Sequence, residues 1–351
     1  MPDRRFFGDS KASLYTLRNA AGMEVTLTEM GAAVVSMNVP LAGGGARDVV
    51  LGYDSVDGYK NCGSYFGVTI GRIANRIGGA SFAIGGDAVN MDKNEGGNSL
   101  HSGRFSYANR MWEVDGAIGG SSVAFRLYSP DGDQGMPGNA EISVRYTLTE
   151  DNGLEIRYRA VADKPTVFNL TNHSYFNLAG HDAGAGGSLA QFLKMGCSAF
   201  TPVDREFIPT GEICQVAGTP MDFTGGKQIG EEIDAGFEQL RIAGGYDHNY
   251  VIDEPSLDKP FAVMVSGARD LGMKAYTDMP GVQFYSGNNL GNDPYCGKHG
   301  KMYERRGAVC LETQFFPDTP NKSGFPPCFF APGEAFSAAT VYKFFTDIAA
   351  L

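Results

Sequence analysis

An alternation of apolar and polar residues with a period of two runs through this chain and restricts it to a fold built from strands. Val123, Phe125 and Leu127 illustrate the pattern, because successive side chains of a strand point to opposite faces of its sheet. Helical periodicity, in which apolar residues recur every three or four positions, is not sustained anywhere. The helix candidates are short, near Ser55–Lys60 and Gly226–Ile233.

The clearest hairpin lies in the middle of the chain. Ile142–Thr149 and Leu154–Arg159 both alternate, and Glu150–Gly153 between them has the composition of a tight turn. The sequence has 48 glycines among 351 residues, which suits many turns, and the glycine-rich stretch Asp182–Ser188 is expected to be a surface loop. No internal repeat or change in composition divides the chain. We therefore predict an all-β protein, one large antiparallel β-sandwich that spans residues 1–351 as a single domain.

Charge and composition argue against several classes of partner. The formal net charge of -11 disfavours nucleic acid, which is bound through an excess of Lys and Arg. The sequence has no long apolar run, so no membrane-spanning helix is expected, and its N-terminal residues lack the apolar segment of a signal peptide. Six cysteines without a C-x-x-C pair argue against a structural zinc site and suit reduced thiols. We expect a cytoplasmic monomer or homodimer whose partner is a small molecule.

The stretch Asn169–Asn177 differs from the other alternating segments because its alternation is polar. As a strand it would place Asn169, Thr171, His173 and Tyr175 on one face. That row of hydrogen-bonding groups suits a groove for a hydroxyl-rich ligand better than it suits a core.

A second predicted strand, Val309–Phe316, places Glu312 and Gln314 on one face. A carboxylate there and the imidazole of His173 would together be able to move protons on a sugar, because both groups titrate. Each also has a purely structural explanation: a core histidine bonded to backbone, or a glutamate that faces water from an edge strand. The residues alone leave these alternatives open.

Nine segments of the chain resemble those of the aldose 1-epimerases, also called galactose mutarotases. Any one of them alone would be weak, whereas nine in the family's order are specific. They are Gly71–Ile77, Asn98–His101, Pro130–Gly135, Leu170–Leu178, Thr201–Asp204, Ile208–Ile213, Gly245–Tyr250, Gln283–Asn288 and Leu311–Gln314.

The resemblance implies a galactose-mutarotase-like β-supersandwich and an isomerase that interconverts the α and β anomers of free aldohexoses such as galactose and glucose. In that reaction a base takes the proton of the anomeric hydroxyl while an acid protonates the ring oxygen, so that the ring opens and closes again on its other face. Glu312 would be the base and His173 the acid, acting from opposite sides of the pyranose. An unperturbed histidine pKa of about 6.5 suits an acid near neutrality. No metal and no other cofactor is implied.

The same resemblance implies that five further residues bind the sugar, and strand alternation adds Tyr175, which shares a face with His173. Arginine offers fixed donors to a polyol, and an aspartate accepts from two adjacent hydroxyls, although a surface or turn position is the alternative explanation for such residues. The six are Asn75, Arg76, His101, Tyr175, Asp247 and Gln283. His248 is expected to be structural, because in a strand it would point away from Asp247.

Two departures from the family pattern bear on substrate preference. Phe315 stands where many relatives have histidine. Many relatives also have Gly-Gly after the Leu-His pair and a Gly-Phe-Asp segment soon after, whereas here the run is His101–Ala108. Three alternative functions stay open at this point. A glycosidase would use two carboxylates such as Asp247 and Glu312, a hexose-6-phosphate 1-epimerase would need more Lys and Arg around its pocket, and a non-catalytic sugar-binding protein would need neither Glu312 nor His173.

Overall fold

A computed structural model describes residues 2–8, 12–61, 63–118 and 120–348 of the protein. It confirms the all-β prediction, and every pairing between its strands is antiparallel within those ranges. Cys62 lies outside the described residues, and the other five cysteines are free thiols.

The strands are short, as the density of glycine turns predicts. In the first part of the chain they are β1 (Asp3–Phe6), β2 (Ser13–Arg18), β3 (Glu24–Thr28), β4 (Ala33–Pro40), β5 (Ala46–Asp48), β6 (Thr69–Ile70), β7 (Arg76–Ile77), β8 (Ser81–Ile84), β9 (Asp87–Asn90), β10 (Ser99–Leu100), β11 (Glu113–Ile118), β12 (Ser122–Ser129), β13 (Ala140–Leu148) and β14 (Gly153–Ala162). In the second part they are β15 (Thr166–Val167), β16 (Thr171–Asn172), β17 (Tyr175–Phe176), β18 (Phe192–Met195), β19 (Ala199–Phe200), β20 (Cys214–Gln215), β21 (Lys227–Gln228), β22 (Asp247–Val251), β23 (Ala262–Val265), β24 (Gly272–Thr277), β25 (Gly281–Tyr285), β26 (Val309–Gln314), β27 (Phe329–Phe330) and β28 (Ala335–Phe345).

Three large sheets contain most of these strands. The first joins β1 to β5 in chain order, the second has nine strands in the order β11-β12-β13-β14-β28-β24-β23-β18-β21, and the third has six in the order β17-β26-β25-β22-β19-β20. The predicted hairpin is confirmed as β13 and β14, with Leu148 opposite Leu154. Its turn is held by Thr149, whose hydroxyl accepts from the Gly153 N–H at 2.9 Å.

Three short helices interrupt the strands: α1 (Val56–Asn61), α2 (Gly184–Leu189) and α3 (Glu238–Ala243). Helix α1 confirms the candidate near Ser55–Lys60. None of the helices in the described ranges is long and apolar enough to cross a bilayer.

Two local predictions were wrong. The candidate helix at Gly226–Ile233 is instead a turn and strand β21, because Gly226 takes a positive φ of 78° and Lys227–Gln228 pairs with β18. The loop expected at Asp182–Ser188 contains most of α2, in spite of its glycines. Tertiary contacts hold this turn of helix, since the Ala185 N–H donates to Glu304 Oε1 at 2.7 Å and Ser188 is buried.

Apolar residues of the nine-stranded and six-stranded sheets pack into one buried cluster. Ile156 enters it from β14, Phe284 from β25 and Leu311 from β26. Full burial of such a side chain stabilises the fold by about 1.5–3 kcal/mol. Because Phe284 and Leu311 point inward, the alternate positions of β25 and β26 point away from the core. Those outer positions carry Gln283 and Glu312.

The polar stretch Asn169–Asn177 is not the continuous strand that its alternation predicted. It forms only β16 and β17, which pair with different partners, β6 and β26. Between them the His173 N–H still donates to Val68 O at 3.0 Å, and its carbonyl accepts from the Gly67 N–H at 2.9 Å. Side chains add to this pairing: the Asn172 amide donates to Gly67 O at 2.7 Å, and the Ser174 hydroxyl donates to Asn172 Oδ1 at 2.6 Å. The stretch therefore passes from one pairing partner to another, and does not lie along a single strand.

Candidate active site

An open pocket lies beside the outer face of the six-stranded sheet. Its free volume, counting the open mouth, is about 610 Å³. The structure brings all of the sequence-predicted site residues together there. They are Asn75, Arg76, His101, His173, Tyr175, Asp247, Gln283 and Glu312.

Glu312 lies in the middle of β26, opposite Gln283 of β25. Its side chain is 3% exposed, which excludes the alternative of an edge-strand glutamate facing water. Oε1 lies 3.6 Å from Nε2 of His173, while Oε2 has no hydrogen-bond partner among the described residues. Burial raises the pKa of this carboxyl well above its usual 4.5, and the charge of Asp247 adds to the rise. A buried oxygen without a partner is the acceptor that a ligand hydroxyl requires.

The His173 ring lies between Glu312 and Cys310, which are both in β26. Nε2 faces Glu312, and Nδ1 lies 3.5 Å from Sγ of Cys310. The ring stacks with Tyr175 at a centroid distance of 4.9 Å and with Tyr65 at 5.8 Å. Burial lowers the pKa of His173 to about 3. Burial therefore favours the neutral imidazole, against the charged ring expected near neutrality, because desolvation outweighs the backbone hydrogen bond that favours the charged form.

His101 and Asn75 hold each other in place. The His101 N–H donates to Asn75 O at 3.0 Å, and the Asn75 N–H donates to His101 Nδ1 at 3.1 Å. Both residues have a positive φ, 51° and 63°, a region in which His and Asn are enriched. Burial first, then the nearby His173 and Arg76, lower the pKa of His101 well below 6.5. Since Nδ1 accepts, the neutral ring carries its proton on Nε2 and is a donor to the pocket.

Arg76, Asp247 and Gln283 form a charged network beside the histidines. Arg76 donates to both oxygens of Glu95, at 2.6 and 2.8 Å, and lies 4.0 Å from Asp247 Oδ2. Asp247 Oδ1 accepts from Gln283 Nε2 at 2.7 Å. Burial raises the pKa of Asp247, although Arg76 and Gln283 both oppose the rise. Gln283 Oε1 has no partner among the described residues, so this network still offers acceptors to a ligand.

Sequence reasoning missed Tyr65, Glu95 and Tyr285, which also line the pocket. Glu95 lies in an irregular turn before two glycines, where no periodic pattern marks a residue. Tyr285 could have been predicted from the sequence, because it follows Gln283 by two residues in β25 and therefore shares its face.

Several polar residues that the sequence singled out do not line the pocket. Asn169 instead holds the end of β26, since its side chain bonds to both backbone groups of Phe315, at 3.1 and 2.9 Å. His248 is fully buried with Nε2 3.2 Å from Gln239 Oε1, in agreement with a structural position. Thr171 and Gln314 are buried outside the pocket as well.

Phe315 and the residues that follow His101 in the second departure lie outside the pocket lining. The Phe315 ring packs against the large apolar cluster. Ser102 braces the neighbouring segment, because its hydroxyl accepts from the Ile73 N–H at 2.8 Å and donates to Ile73 O at 2.9 Å. Arg104 is exposed and borders an adjacent depression. Neither change removes a group that reaches the pocket.

One group of side chains in the described residues has the spacing of metal ligands. Ligand atoms of His101, His173 and Glu312 lie within 4.8 Å of one another, and two imidazoles with a carboxylate form a donor set that a transition-metal ion accepts. The same three groups face the pocket as proton donors and acceptors.

The chain matches known proteins over nearly its whole length. A family model described as aldose 1-epimerase matches residues 13–343. The aldose 1-epimerase of Escherichia coli (strain K12) is 39% identical over 337 residues, which cover 95% of each chain. The galactose mutarotase of Bos taurus is 37% identical and covers 97% of this chain and 98% of that protein.

Solved structures agree with the sequence comparisons. A GalM/aldose epimerase homologue from C. elegans superposes with a TM-score of 0.87 at 31% identity, covering 95% of this chain and 99% of that one. A galactose 1-epimerase from Lactobacillus acidophilus NCFM gives a TM-score of 0.82 at 26% identity, covering 98% and 97%. The galactose-mutarotase-like fold is confirmed, and the chain belongs to the aldose 1-epimerase family of isomerases.

Proposed function

We propose that this protein is an aldose 1-epimerase that interconverts the α and β anomers of free aldohexoses, with Glu312 as base and His173 as acid. One observation carries the proposal. Glu312 Oε1 lies 3.6 Å from His173 Nε2, in a pocket where Glu312 Oε2 has no partner among the described residues. Membership of the aldose 1-epimerase family supports the same reaction.

The two groups lie side by side, not on opposite sides of a ring as the sequence suggested. This arrangement suits the reaction, because the anomeric hydroxyl and the ring oxygen are bonded to the same carbon. Adjacent groups can therefore serve both oxygens of one sugar without moving apart. Acid and base catalysis typically contribute about 10²–10⁴-fold each, and the uncatalysed reaction already proceeds in water.

The protonation state of the pair follows from counting protons. A carboxylate with an imidazolium holds the same single proton as a carboxylic acid with a neutral imidazole. In the sugar-free pocket burial favours the neutral arrangement, because it raises the pKa of Glu312 and lowers that of His173. The two titrations are coupled, so macroscopic pKa values belong to the pair.

Sugar binding shifts that shared proton. When the anomeric hydroxyl donates to Glu312 Oε2, the hydrogen bond stabilises the carboxylate, and the proton moves from Glu312 to His173 Nε2. Glu312 then takes the hydroxyl proton while Nε2–H protonates the ring oxygen, and the ring opens. After the aldehyde rotates, the reverse transfers close the ring on its other face.

The remaining polar groups would hold the sugar hydroxyls. His101 offers a neutral Nε2–H donor, Arg76 offers a guanidinium, and Asp247 and Gln283 offer acceptors fixed by their mutual hydrogen bond. These groups are held by each other before the ligand arrives. Little conformational entropy is then lost on binding.

Charge in the pocket favours a free aldose over a sugar phosphate. Among the described residues that line the pocket, Arg76 is the one fixed positive charge, and it is already engaged by Glu95 and Asp247. A phosphate group would find no free cation there.

Polarimetry tests the proposal directly. Freshly dissolved α-D-galactose or α-D-glucose should reach optical equilibrium faster with the protein than without it. An unchanged rate with both sugars, and with a wider panel of free aldoses, would reject the enzyme. Release of reducing sugar from an aryl glycoside would favour a glycosidase, and binding of galactose without acceleration would favour a sugar-binding protein.

We also propose a cytoplasmic location and a monomeric or homodimeric state. Free thiols at the five described cysteines support the location. Cell fractionation and sedimentation would test the two proposals.

A further inference from the structure

Two side chains on the outer face of β26 contact the two nitrogens of the His173 ring. Cys310 and Glu312 are two residues apart and share that face. Sγ of Cys310 lies 3.5 Å from Nδ1, while Oε1 of Glu312 lies 3.6 Å from Nε2. Tyr175, which pairs with Cys310 across β17 and β26, stacks on the ring. Residues of β26 and β17 therefore hold the His173 ring in place together, and the contact between the Cys310 thiol and the imidazole is one of those contacts.

We propose that Cys310 is a positioning residue for the reaction, whose sulfur accepts the Nδ1–H of His173 and thereby keeps Nε2 for the mobile proton. The proposal rests on the proposed acid role of His173. In both arrangements of the shared proton, Nδ1 stays protonated: the neutral imidazole has hydrogen on Nδ1 alone, and the imidazolium has it on both nitrogens. The opposite neutral tautomer would have hydrogen on Nε2 and could not receive the proton of Glu312.

A thiol is suited to this role because it is a weak acceptor. A carboxylate at the same place would stabilise the imidazolium and make it a poorer acid. The Cys310 thiol stays protonated and neutral, since burial raises its pKa well above 9.0 and the charges of Glu312 and Asp247 add to the rise. Sulfur thus orients the ring and adds no charge beside it.

Other titratable groups also face His173 and bear on any pH measurement. Glu312 and Cys310 approach it from β26, and the rest come from other elements. These are Tyr175 of β17, Tyr285 of β25, Tyr65 and His101. Burial is the leading cause of the shift in pKa of both histidines, and it acts against their charged forms.

NMR of the sugar-free protein tests the tautomer without any activity measurement. The chain has five histidines, so ¹⁵N-histidine labelling with two-bond ¹H–¹⁵N correlation gives few signals, and a His173→Asn variant identifies the relevant one. We expect protonated Nδ1 and unprotonated Nε2 near pH 7 in the wild type, and a mixture of tautomers in Cys310→Ala. A wild-type ring protonated on Nε2 alone, or an unchanged spectrum in Cys310→Ala, would overturn the proposal.

Kinetics supplies the second readout. Cys310→Ala should lower kcat by about tenfold with little change in KM, because the ring loses an anchor and reacting groups tolerate little displacement. Cys310→Ser keeps an acceptor, so it should restore most of kcat and move the acid limb of the pH profile upward. Cys197→Ala is the matched control, a buried thiol outside the pocket, and should keep wild-type kcat.

Equal losses of kcat in Cys310→Ala and Cys310→Ser, with no change in the pH profile, would assign Cys310 to packing alone. If polarimetry shows no acceleration by the wild type, the proposed function fails. The tautomer measured by NMR still decides whether Cys310 orients the ring.

Discussion

The inner and outer faces of β25 and β26 differ in the residues they carry, although side chains alternate between the two faces along the same strands. On the inner face, Val282, Phe284 and Leu311 enter the apolar core. On the outer face, Gln283 and Glu312 are just as deeply buried, yet each has an oxygen without a partner in the described residues. Burial of apolar surface stabilises a fold, whereas burial of an unsatisfied polar atom costs free energy.

At Gln283 and Glu312 this difference coincides with a position in the pocket, although buried polar atoms without a partner also occur outside it, as at Gln314. A sequence normally satisfies its buried polar groups, and exceptions concentrate at functional sites. Changes on the inner face should therefore appear in the free energy of unfolding, and changes on the outer face in the kinetics.

Glu312→Gln should give the largest effect on the outer face. We expect kcat for mutarotation to fall by about 10²–10⁴-fold, because the amide cannot take a proton, while sugar binding persists because the side chain keeps its shape and an acceptor. Polarimetry and calorimetric titration with galactose measure the two quantities. Retained kcat would mean that another group is the base.

Leu311→Ala, one residue away on the inner face, should have the opposite signature. The free energy of unfolding should fall by about 2–5 kcal/mol, as for other buried leucines, while kcat per folded molecule stays close to wild type. Urea denaturation followed by circular dichroism measures the loss, and Ile213→Ala is the control because that residue is exposed. A fall in kcat comparable to that of Glu312→Gln would erase the distinction between the faces.

Asp247→Asn should weaken sugar binding more than it slows the reaction. A hydrogen bond to a charged group contributes about 1.5–3 kcal/mol, so KM should rise by roughly 10–100-fold while kcat changes less. Asp131→Asn, an exposed carboxyl paired with Lys164, should leave both constants unchanged. A fall in kcat with constant KM would place Asp247 in the proton transfer itself.

The pH profile gives the smallest and finest test. Below the acid limb the pair holds two protons and Glu312 is no longer a base; burial lowers the pKa of His173 to about 3, so this limb lies far below the usual 6.5. Above the alkaline limb the pair has lost its only proton. Burial raises the pKa of Glu312, so that limb lies well above 4.5. Stopped-flow polarimetry measures kcat/KM, and activity lost on lowering the pH through 6.5 would contradict the burial argument.

Alternation predicted the parts of the site that lie on regular strands. The spacing of Glu312 from Leu311 fixed its face, and the same rule related Tyr285 to Gln283. It failed at Asn169–Asn177, where the backbone pairs first with β6 and then with β26, and where Asn172 and Ser174 bond to Gly67 O and to each other. Local side-chain hydrogen bonds of this kind leave no periodic signal.

The electrostatics of the pocket could not be predicted from residue types. His173 was expected to carry a charge near neutrality, whereas its environment in the folded chain keeps the imidazole neutral. Desolvation depends on which segments cover a group, and Tyr65 is more than a hundred positions away in the sequence. Glu95 was missed for a related reason, since its contact with Arg76 joins a turn to a strand.

The reciprocal hydrogen bonds between Asn75 and His101 have a consequence for the speed of encounter with a sugar. One bond joins the two backbones and the other joins the Asn75 N–H to the His101 ring, and both residues are held in left-handed conformations without a ligand. No loop has to close over the substrate for His101 to adopt its donating orientation. Uptake of a hexose should then be limited by diffusion and by the shedding of its hydration water, and release of the opposite anomer should be equally unobstructed.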